Sequence, residues 1–140
     1  MNDELRGVLQ DFYAAEAAYF TAGGPGEADF GELAQHFHPD VVLYQDPGLP
    51  YGGDWRGRDG MERFLAVMSR TWERFEFGDQ GFWFRGSTAV VLTRVSARAR
   101  ATGIELEFPI LQHILIRDRQ LAEVRPFYWN TAAIAAACSG

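Results

Sequence analysis

The feature that most constrains the fold is a single change in the spacing of apolar residues, near residue 75. Before this point, apolar side chains recur every three or four residues, which is typical of amphipathic helices. After it they alternate with polar side chains, which indicates strands that bury one face. Because helices and strands are segregated along the chain, this order predicts an α+β fold.

Three helices are predicted in the N-terminal half. Residues 3–21 carry an apolar stripe and end at the loop sequence AGGPGEAD. Residues 29–37 form a shorter helix, which Pro39 ends. Residues 58–75 show the most regular helical spacing, and a last short helix is predicted at residues 131–138. The three N-terminal helices are the candidates to cover a sheet.

Five strands are predicted to form that sheet. The sequence VVLYQ (41–45) lies between the second and third helices, and four longer strands follow residue 75. Turn signals at residues 85–87, 101–103 and 117–119 separate these four, so they form antiparallel hairpins. A curved antiparallel sheet needs a cover on its apolar side. We therefore expect one domain over residues 1–140, shaped as a cone with three N-terminal helices packed on the sheet.

Composition and charge exclude several classes of partner. The formal net charge is −6, which disfavours binding to nucleic acid or to acidic membranes. The chain has one cysteine, so it cannot form an internal disulfide, and no stretch is long and apolar enough for a transmembrane helix. We expect a soluble cytoplasmic protein. Aromatic residues make up 14% of the chain, which fits either a bulky core or an aromatic-walled cavity.

The strand at 41–45 ends in a candidate catalytic residue, because Asp46 and Pro47 follow it directly. An apolar cavity would disfavour the charged carboxylate of Asp46 and make it a stronger general base. The alternative is that Asp46 caps the turn by accepting backbone N–H groups. Local sequence leaves both interpretations open.

The order of the elements, together with the sequences YQDP, WRGRDGMERFL, PILQHILIRD and VRPFYW, resembles the nuclear transport factor two-like superfamily. Within it the chain resembles the SnoaL-like polyketide cyclase and ketosteroid isomerase branch. The resemblance implies a cofactor-independent isomerase or cyclase acting next to a carbonyl of a small, apolar, polyketide- or terpenoid-like substrate. It also implies a homodimer through the outer face of the sheet. The alternative is a noncatalytic ligand-binding or dimeric assembly module.

The resemblance suggests roles for three residues. Ketosteroid isomerases place their general base at the aspartate of the strand-ending Asp-Pro pair, which is Asp46 here. Their oxyanion hole joins a tyrosine of the first helix to a protonated acid of a late strand. Phe12 stands at the tyrosine position with Tyr13 beside it, and Gln112 stands at the acid position. We therefore expect Asp46, Gln112 and Tyr13 to be catalytic.

The resemblance also turns the Trp129 face of the last strand toward the cavity, with Arg125 as an anion stabiliser. A salt bridge on an exposed face is the alternative for Arg125, and a bulge near Pro126 would exchange the two faces. His36 and His38 alone do not make a metal site, so no metal is expected. The expected substrate-binding residues are Phe12, Tyr44, Trp55, Phe64, Met68, Trp72, Arg125, Phe127 and Trp129.

Overall fold

A computed structural model describes residues 2–139, which form four helices and six strands. The helices are α1 (Asn2–Thr21), α2 (Gly31–Ala34), α3 (Gly57–Thr71) and α4 (Thr131–Cys138). The strands are β1 (Phe37–Gln45), β2 (Gly53–Arg56), β3 (Trp72–Arg85), β4 (Thr88–Ala99), β5 (Glu105–Arg117) and β6 (Gln120–Tyr128). Helices gathered toward one end of the chain and strands toward the other confirm the α+β prediction.

Two of the predicted helices are shorter than the sequence pattern indicated. The second helix has only four residues, and Pro39 lies inside β1 instead of ending a helix. This is possible because the pairing of β1 with β6 is irregular between Phe37 and Val42, where a missing backbone N–H breaks no ladder bond. The third helix ends at Thr71, since Trp72 has extended backbone and pairs with Ala99 of β4.

The sheet is curved and unclosed, with the strand order β2-β1-β6-β5-β4-β3. Adjacent strands of the sheet are antiparallel, except for β1 and β6, which are parallel. The short strand β2 lies within the glycine-rich segment for which the sequence pattern predicts no strand. Gly57, with φ of 73°, then reverses the chain into α3 at little steric cost because it has no Cβ.

The two faces of the sheet differ in burial. Along β5, Phe108, Ile110 and Ile114 are buried against the helices, while the alternating Leu111 and His113 are exposed. The core forms between the inner face and helices α1 and α3. None of the helices within residues 2–139 is long and apolar enough to cross a membrane. Curvature of the sheet leaves a hollow between the helices and the strands.

Candidate functional site

The hollow is a cavity of about 810 Å³ between α1, α3 and the inner face of the sheet. This volume lies in the range of pockets that hold small organic molecules. Most of its wall is apolar. The aromatic part of the wall consists of Phe12, Tyr13, Phe20, Phe37, Phe64, Trp72, Phe75, Phe77 and Tyr128.

The cavity opens between the end of α1 and the start of β3. Phe20 and Phe77 belong to the lining and are 41% and 42% exposed, so they mark the opening. Glu73 and Glu76 of β3 are also exposed lining residues. Arg100 is a further exposed lining residue, so aromatic rings and charged side chains of both signs border the opening.

Glu16 is a carboxylic acid inside this apolar space. It lies on α1 three residues after Tyr13 and four after Phe12, and all three side chains line the cavity. Burial raises the pKa of Glu16 from 4.5 to about 7, and neither a nearby charge nor a hydrogen bond contributes to the shift. An acid with this pKa exchanges protons at neutral pH, as general acid–base catalysis requires.

Tyr13 and Gln112 form a polar pair across the cavity. The Tyr13 hydroxyl donates to Gln112 Oε1 at 3.0 Å, joining α1 to β5. Burial, helped by the Glu16 carboxylate, raises the pKa of Tyr13 well above its usual range, so its proton stays in place. Oε1 accepts this bond, and the Nε2 amide group is the donor that Gln112 can offer to a ligand.

A second cluster of polar side chains is buried near the ends of β1 and β6. Trp72 Nε1 donates to the Tyr51 hydroxyl at 3.3 Å, and Tyr51 donates to the Tyr128 hydroxyl at 2.9 Å. Burial raises the pKa of Tyr51 to about 12 and holds the pKa of Tyr128 well above its usual range, so both remain neutral. Beside Tyr128 lies Gln45, whose Oε1 meets no hydrogen-bond donor among residues 2–139.

The expected placement of Asp46 inside the cavity is wrong. Asp46 is exposed, and it accepts hydrogen bonds from the Gly48 backbone N–H at 2.8 Å and the Thr131 hydroxyl at 3.3 Å. Side chains alternate along β1, so the inward position at the end of this strand belongs to Gln45. Asp46 caps the turn, which was the alternative interpretation.

The face of the last strand was also predicted the wrong way round. Val124, Pro126 and Tyr128 line the cavity, and the register with β5 is regular across them, so no bulge lies near Pro126. The irregularity in β6 lies earlier, between Leu121 and Glu123. The alternate residues of β6 therefore lie on the outer face of the sheet. Four expected substrate-binding residues are thus outside the cavity: Tyr44, Arg125, Phe127 and Trp129.

Arg125 and Tyr44 interact with each other on that outer face, where the Arg125 guanidinium carbon lies 4.4 Å from the centre of the Tyr44 ring. Trp55 is a fifth expected residue that does not line the cavity. It packs edge-on against Phe64 and donates through Nε1 to the Tyr51 carbonyl, so it supports the wall from behind. The expected residues that do line the cavity are Phe12, Tyr13, Phe64, Met68, Trp72 and Gln112.

Sequence reasoning missed three polar residues of the cavity: Glu16, Gln45 and Tyr128. A signal existed for the first two, since each is a polar residue that falls among the apolar positions of its periodic pattern. Glu16 falls in the apolar stripe of α1, and Gln45 continues the buried series of Val41 and Leu43 in β1. Tyr128 was missed because the resemblance turned the other face of β6 inward.

Comparison with protein families identifies this architecture. Residues 9–124 match the family of SnoaL-like domains. The chain belongs to the SnoaL-like domain family. The resemblance seen in the sequence is therefore confirmed, and no curated protein sequence matches the chain.

Solved structures share the fold of this SnoaL-like domain at low sequence identity. An NTF2-like protein from Burkholderia xenovorans is 20% identical over 98% of this chain and 97% of its own, with a TM-score of 0.84. TerC, crystallised with polyporic acid, is 17% identical over 98% and 99% of the chains, with a TM-score of 0.80. A putative SnoaL-like polyketide cyclase from Jannaschia is 16% identical over 94% of both chains, with a TM-score of 0.70.

Proposed function

We propose that this SnoaL-like domain is a cofactor-independent isomerase or cyclase in which Glu16 is the general base. The observation that carries the proposal is the unpaired Glu16 carboxyl group in an aromatic-walled cavity, with its pKa raised to about 7 by burial. The substrate is a small, mostly apolar carbonyl compound of polyketide or terpenoid type. The structural similarity to TerC, which was crystallised with polyporic acid, is consistent with a small organic ligand.

The reaction begins when the Glu16 carboxylate removes a proton from the carbon next to the substrate carbonyl. The electron pair of that C–H bond moves onto the carbonyl oxygen, which becomes an enolate. Gln112 Nε2 donates a hydrogen bond to this oxygen, and one such donor lowers a barrier by roughly 3 kcal/mol. Tyr13 is a positioning residue, because its hydroxyl holds Gln112 Oε1 and leaves Nε2 to face the substrate.

The second half of the reaction depends on the substrate. In an isomerisation, protonated Glu16 returns its proton to another carbon of the enolate system. In a ring closure, the enolate carbon attacks a second carbonyl of the same molecule, and the resulting alkoxide takes the proton from Glu16. Both routes are redox-neutral.

The geometry of α1 favours Glu16 for this role. Side chains three residues apart lie on the same side of a helix, with Cβ atoms about 5–6 Å apart. Glu16 therefore lies next to Tyr13, whose hydroxyl is 3.0 Å from the Gln112 amide oxygen. The base and the enolate donor thus lie on facing walls of one cavity, whereas Asp46 lies outside it.

Ring opening of nitrobenzisoxazole tests this assignment without knowledge of the natural substrate. A base removes the ring C–H proton, the N–O bond breaks, and a nitrile and a coloured phenolate form. We expect the rate with the wild-type protein to rise with pH around a midpoint near 7, following ionisation of Glu16. Glu16→Gln should reduce the rate by on the order of a hundredfold.

Asp46→Asn is the matched control, since it makes the same kind of change to an exposed carboxylate. We expect this variant to retain the wild-type rate and pH midpoint. A Glu16→Gln variant that keeps the wild-type rate would refute the assignment of the base. Loss of activity only in Asp46→Asn would return the role to Asp46.

A noncatalytic binding module is the second candidate function. The observation that favours it is that the Tyr13 and Tyr51 hydroxyls already donate to protein acceptors, which leaves few donors to stabilise an enolate. In that case nitrobenzisoxazole would bind but would open no faster than with a free carboxylate at the same pH. The same assay therefore separates the two functions.

We also propose that the domain forms a homodimer through the outer face of its sheet. Leu92, Leu111 and Phe127 pair across β4, β5 and β6, so they form a continuous apolar row on that face. They are 38%, 42% and 55% exposed. Contiguous exposed apolar surface of this kind is typical of interaction sites. A second copy fits because a two-fold axis brings the same row against itself.

A further inference from the structure

We infer that the cavity binds hydrophobic organic ammonium ions, with the cation held between the Glu16 carboxylate and the aromatic rings around it. The inference rests on the proposed function in one respect, because it uses the same carboxylate. It goes beyond that function, because the ligand is a cation and not the carbonyl substrate. A bound ammonium ion occupies the ionised base and therefore blocks removal of a proton from the substrate.

The first observation is a carboxylate without a counter-ion. Glu16 lines the cavity and is half-buried, and burial alone shifts its pKa, so no cation or hydrogen-bond donor of residues 2–139 stabilises its charge. Its oxygens are not fully enclosed by protein atoms, unlike Gln45 Oε1, so a ligand in the cavity can reach them. An ionised carboxylate in an apolar site is costly unless it is paired, and a ligand cation supplies the missing partner.

Aromatic rings surround this carboxylate. Phe12 and Tyr13 lie one turn before Glu16 and Phe20 lies one turn after it, and side chains at these spacings share one side of a helix. All three line the cavity together with Glu16. The ring of Phe77 in β3 lies edge-on to the Tyr13 ring, with the ring centres 6.0 Å apart. The carboxylate is therefore framed by aromatic rings from both α1 and β3.

The chemistry of the ligand follows from this combination of groups. Aromatic rings attract cations because their faces carry negative charge. A carboxylate among several rings therefore favours an ammonium ion whose substituents are apolar. Quaternary ammonium ions are the ligands that aromatic cages recognise in proteins, and their methyl groups also bury apolar surface against the rings.

The other charged groups of the cavity wall lie at its opening. They are Glu73 and Glu76 of β3 and Arg100, which follows the end of β4. Arg100 donates through Nη2 to two backbone carbonyl groups, which fixes it at the rim. None of the three contributes to the pKa of Glu16, and Tyr13 keeps its proton at neutral pH. The formal net charge of −6 draws cations toward the protein.

A matched pair of probes tests the site by binding alone. Benzyltrimethylammonium and neopentylbenzene have the same shape, because neopentylbenzene has a carbon atom in place of the charged nitrogen. We expect the affinity of the wild-type protein for the cation to rise by about tenfold or more between roughly pH 5.5 and 8, as Glu16 ionises. The affinity for neopentylbenzene should not rise. Tryptophan fluorescence follows both titrations, because Trp72 lines the cavity.

Glu16→Gln should make binding of the cation independent of pH and about tenfold weaker than in the wild-type protein at the alkaline end of this range. The same variant should bind neopentylbenzene as well as the wild-type protein does, which shows that the cavity is intact. Glu76→Gln is the matched control, because it makes the same substitution at an exposed carboxylate of the opening. We expect this variant to keep the pH dependence.

Parallel pH profiles for the two probes would overturn the inference, since the charge of the ligand would then play no part in binding. Cation binding that is unchanged in Glu16→Gln would also overturn it, as would binding of neither probe. Loss of the pH dependence in Glu76→Gln alone would place the cation at the opening and not inside the cavity, which contradicts the proposed site.

These outcomes are distinct from failure of the proposed function, because the titrations involve no turnover. Ring opening of nitrobenzisoxazole that depends on Glu16, together with cation binding that is independent of pH, would refute the cation site and leave the general base in place. Cation binding that depends on pH and Glu16, without accelerated ring opening, would support the cation site and refute the general base.

Discussion

At the residue scale, two positions are informative because they carry a carboxyl group and an amide where an apolar side chain would give a more stable fold. Glu16 lies in the apolar stripe of α1, and Gln45 lies at a buried position of β1. Each destabilises the folded protein, which is a common property of functional sites. This cost makes both positions testable by measurements of stability as well as activity.

Glu16 should make stability depend on pH. Its pKa is about 7 in the folded protein, against 4.5 for an ordinary glutamate, so the folded state binds more protons than the unfolded state between these values. The free energy of unfolding contributed by this group therefore falls as pH rises from about 4.5 to 7 and is constant above that range. The total change is up to about 3 kcal/mol.

Glu16→Gln should lack this decrease, so the variant gains stability relative to wild type as pH rises. Urea denaturation of both proteins at several pH values between 4 and 8, roughly the window set by the two pKa values, measures the difference. The other carboxylates contribute equally to the pH dependence of both proteins, so their contributions cancel in the comparison. Parallel stability curves for the two proteins would show that Glu16 is solvated like an ordinary surface glutamate.

Gln45→Met should stabilise the ligand-free protein by about 1 kcal/mol, because it removes a buried amide oxygen without a partner and fills the same space with apolar atoms. The urea midpoint reports the change, and the slope of the transition should stay constant. Gln10→Met makes the same substitution at an exposed position of α1 and should shift the midpoint little. A large destabilisation in Gln45→Met would mean that the amide is structurally required.

At the element scale, the tight turn between β5 and β6 carries backbone strain. Asp118 and Arg119 have φ of 54° and 62°, which matches the hairpin turn in which both central residues are left-handed. Aspartate tolerates this conformation, but arginine is disfavoured in it. The turn pairs Gln120 with Arg117, and the irregularity between Leu121 and Glu123 then shifts the register before β6 reaches the cavity.

Arg119→Gly should therefore stabilise the domain by about 0.5–1 kcal/mol, since glycine adopts this conformation without strain. The substitution also removes an exposed ion pair with Glu4 at 2.7 Å, which contributes little and less still in salt. Urea denaturation at high ionic strength should show the gain most clearly. Arg117→Gly, inside β5, should have the opposite effect, and equal effects would contradict the strain argument.

At the scale of the whole molecule, the outer face of the sheet predicts the oligomeric state. Leu111 lies in the middle of the apolar row, between Leu92 and Phe127. Leu111→Lys places a charge at the centre of the proposed interface, so we expect a shift from dimer to monomer in analytical ultracentrifugation.

Ile104→Lys is the matched control for that experiment. Ile104 is also exposed, at 46%, but it lies in the connection between β4 and β5. This variant should remain dimeric. A wild-type protein that is monomeric at all accessible concentrations would refute the dimer, and it would leave the cavity chemistry untouched because the two faces of the sheet are separate.

Several parts of the site could be predicted from sequence because they depend on local pattern. Phe12, Phe64 and Trp72 are apolar residues on the buried faces of helices or at their ends, and they line the cavity as expected. Gln112 and Tyr13 were found by resemblance, and the structure joins them by a hydrogen bond. The prediction that Asp46 lies in the cavity was wrong, because the same resemblance gave its position in the sequence but not the direction in which its side chain points.

The sequence by itself determined the order and type of the elements other than the short strand β2, because helix and strand periodicity are local properties of consecutive side chains. It also contained the evidence for the cavity polar groups, as Glu16 and Gln45 interrupt apolar patterns. Tertiary structure decided which face of β6 turns inward and that β1 ends with Gln45, and not Asp46, toward the cavity. These choices depend on strand register and sheet curvature, which arise from pairing between residues far apart in the chain.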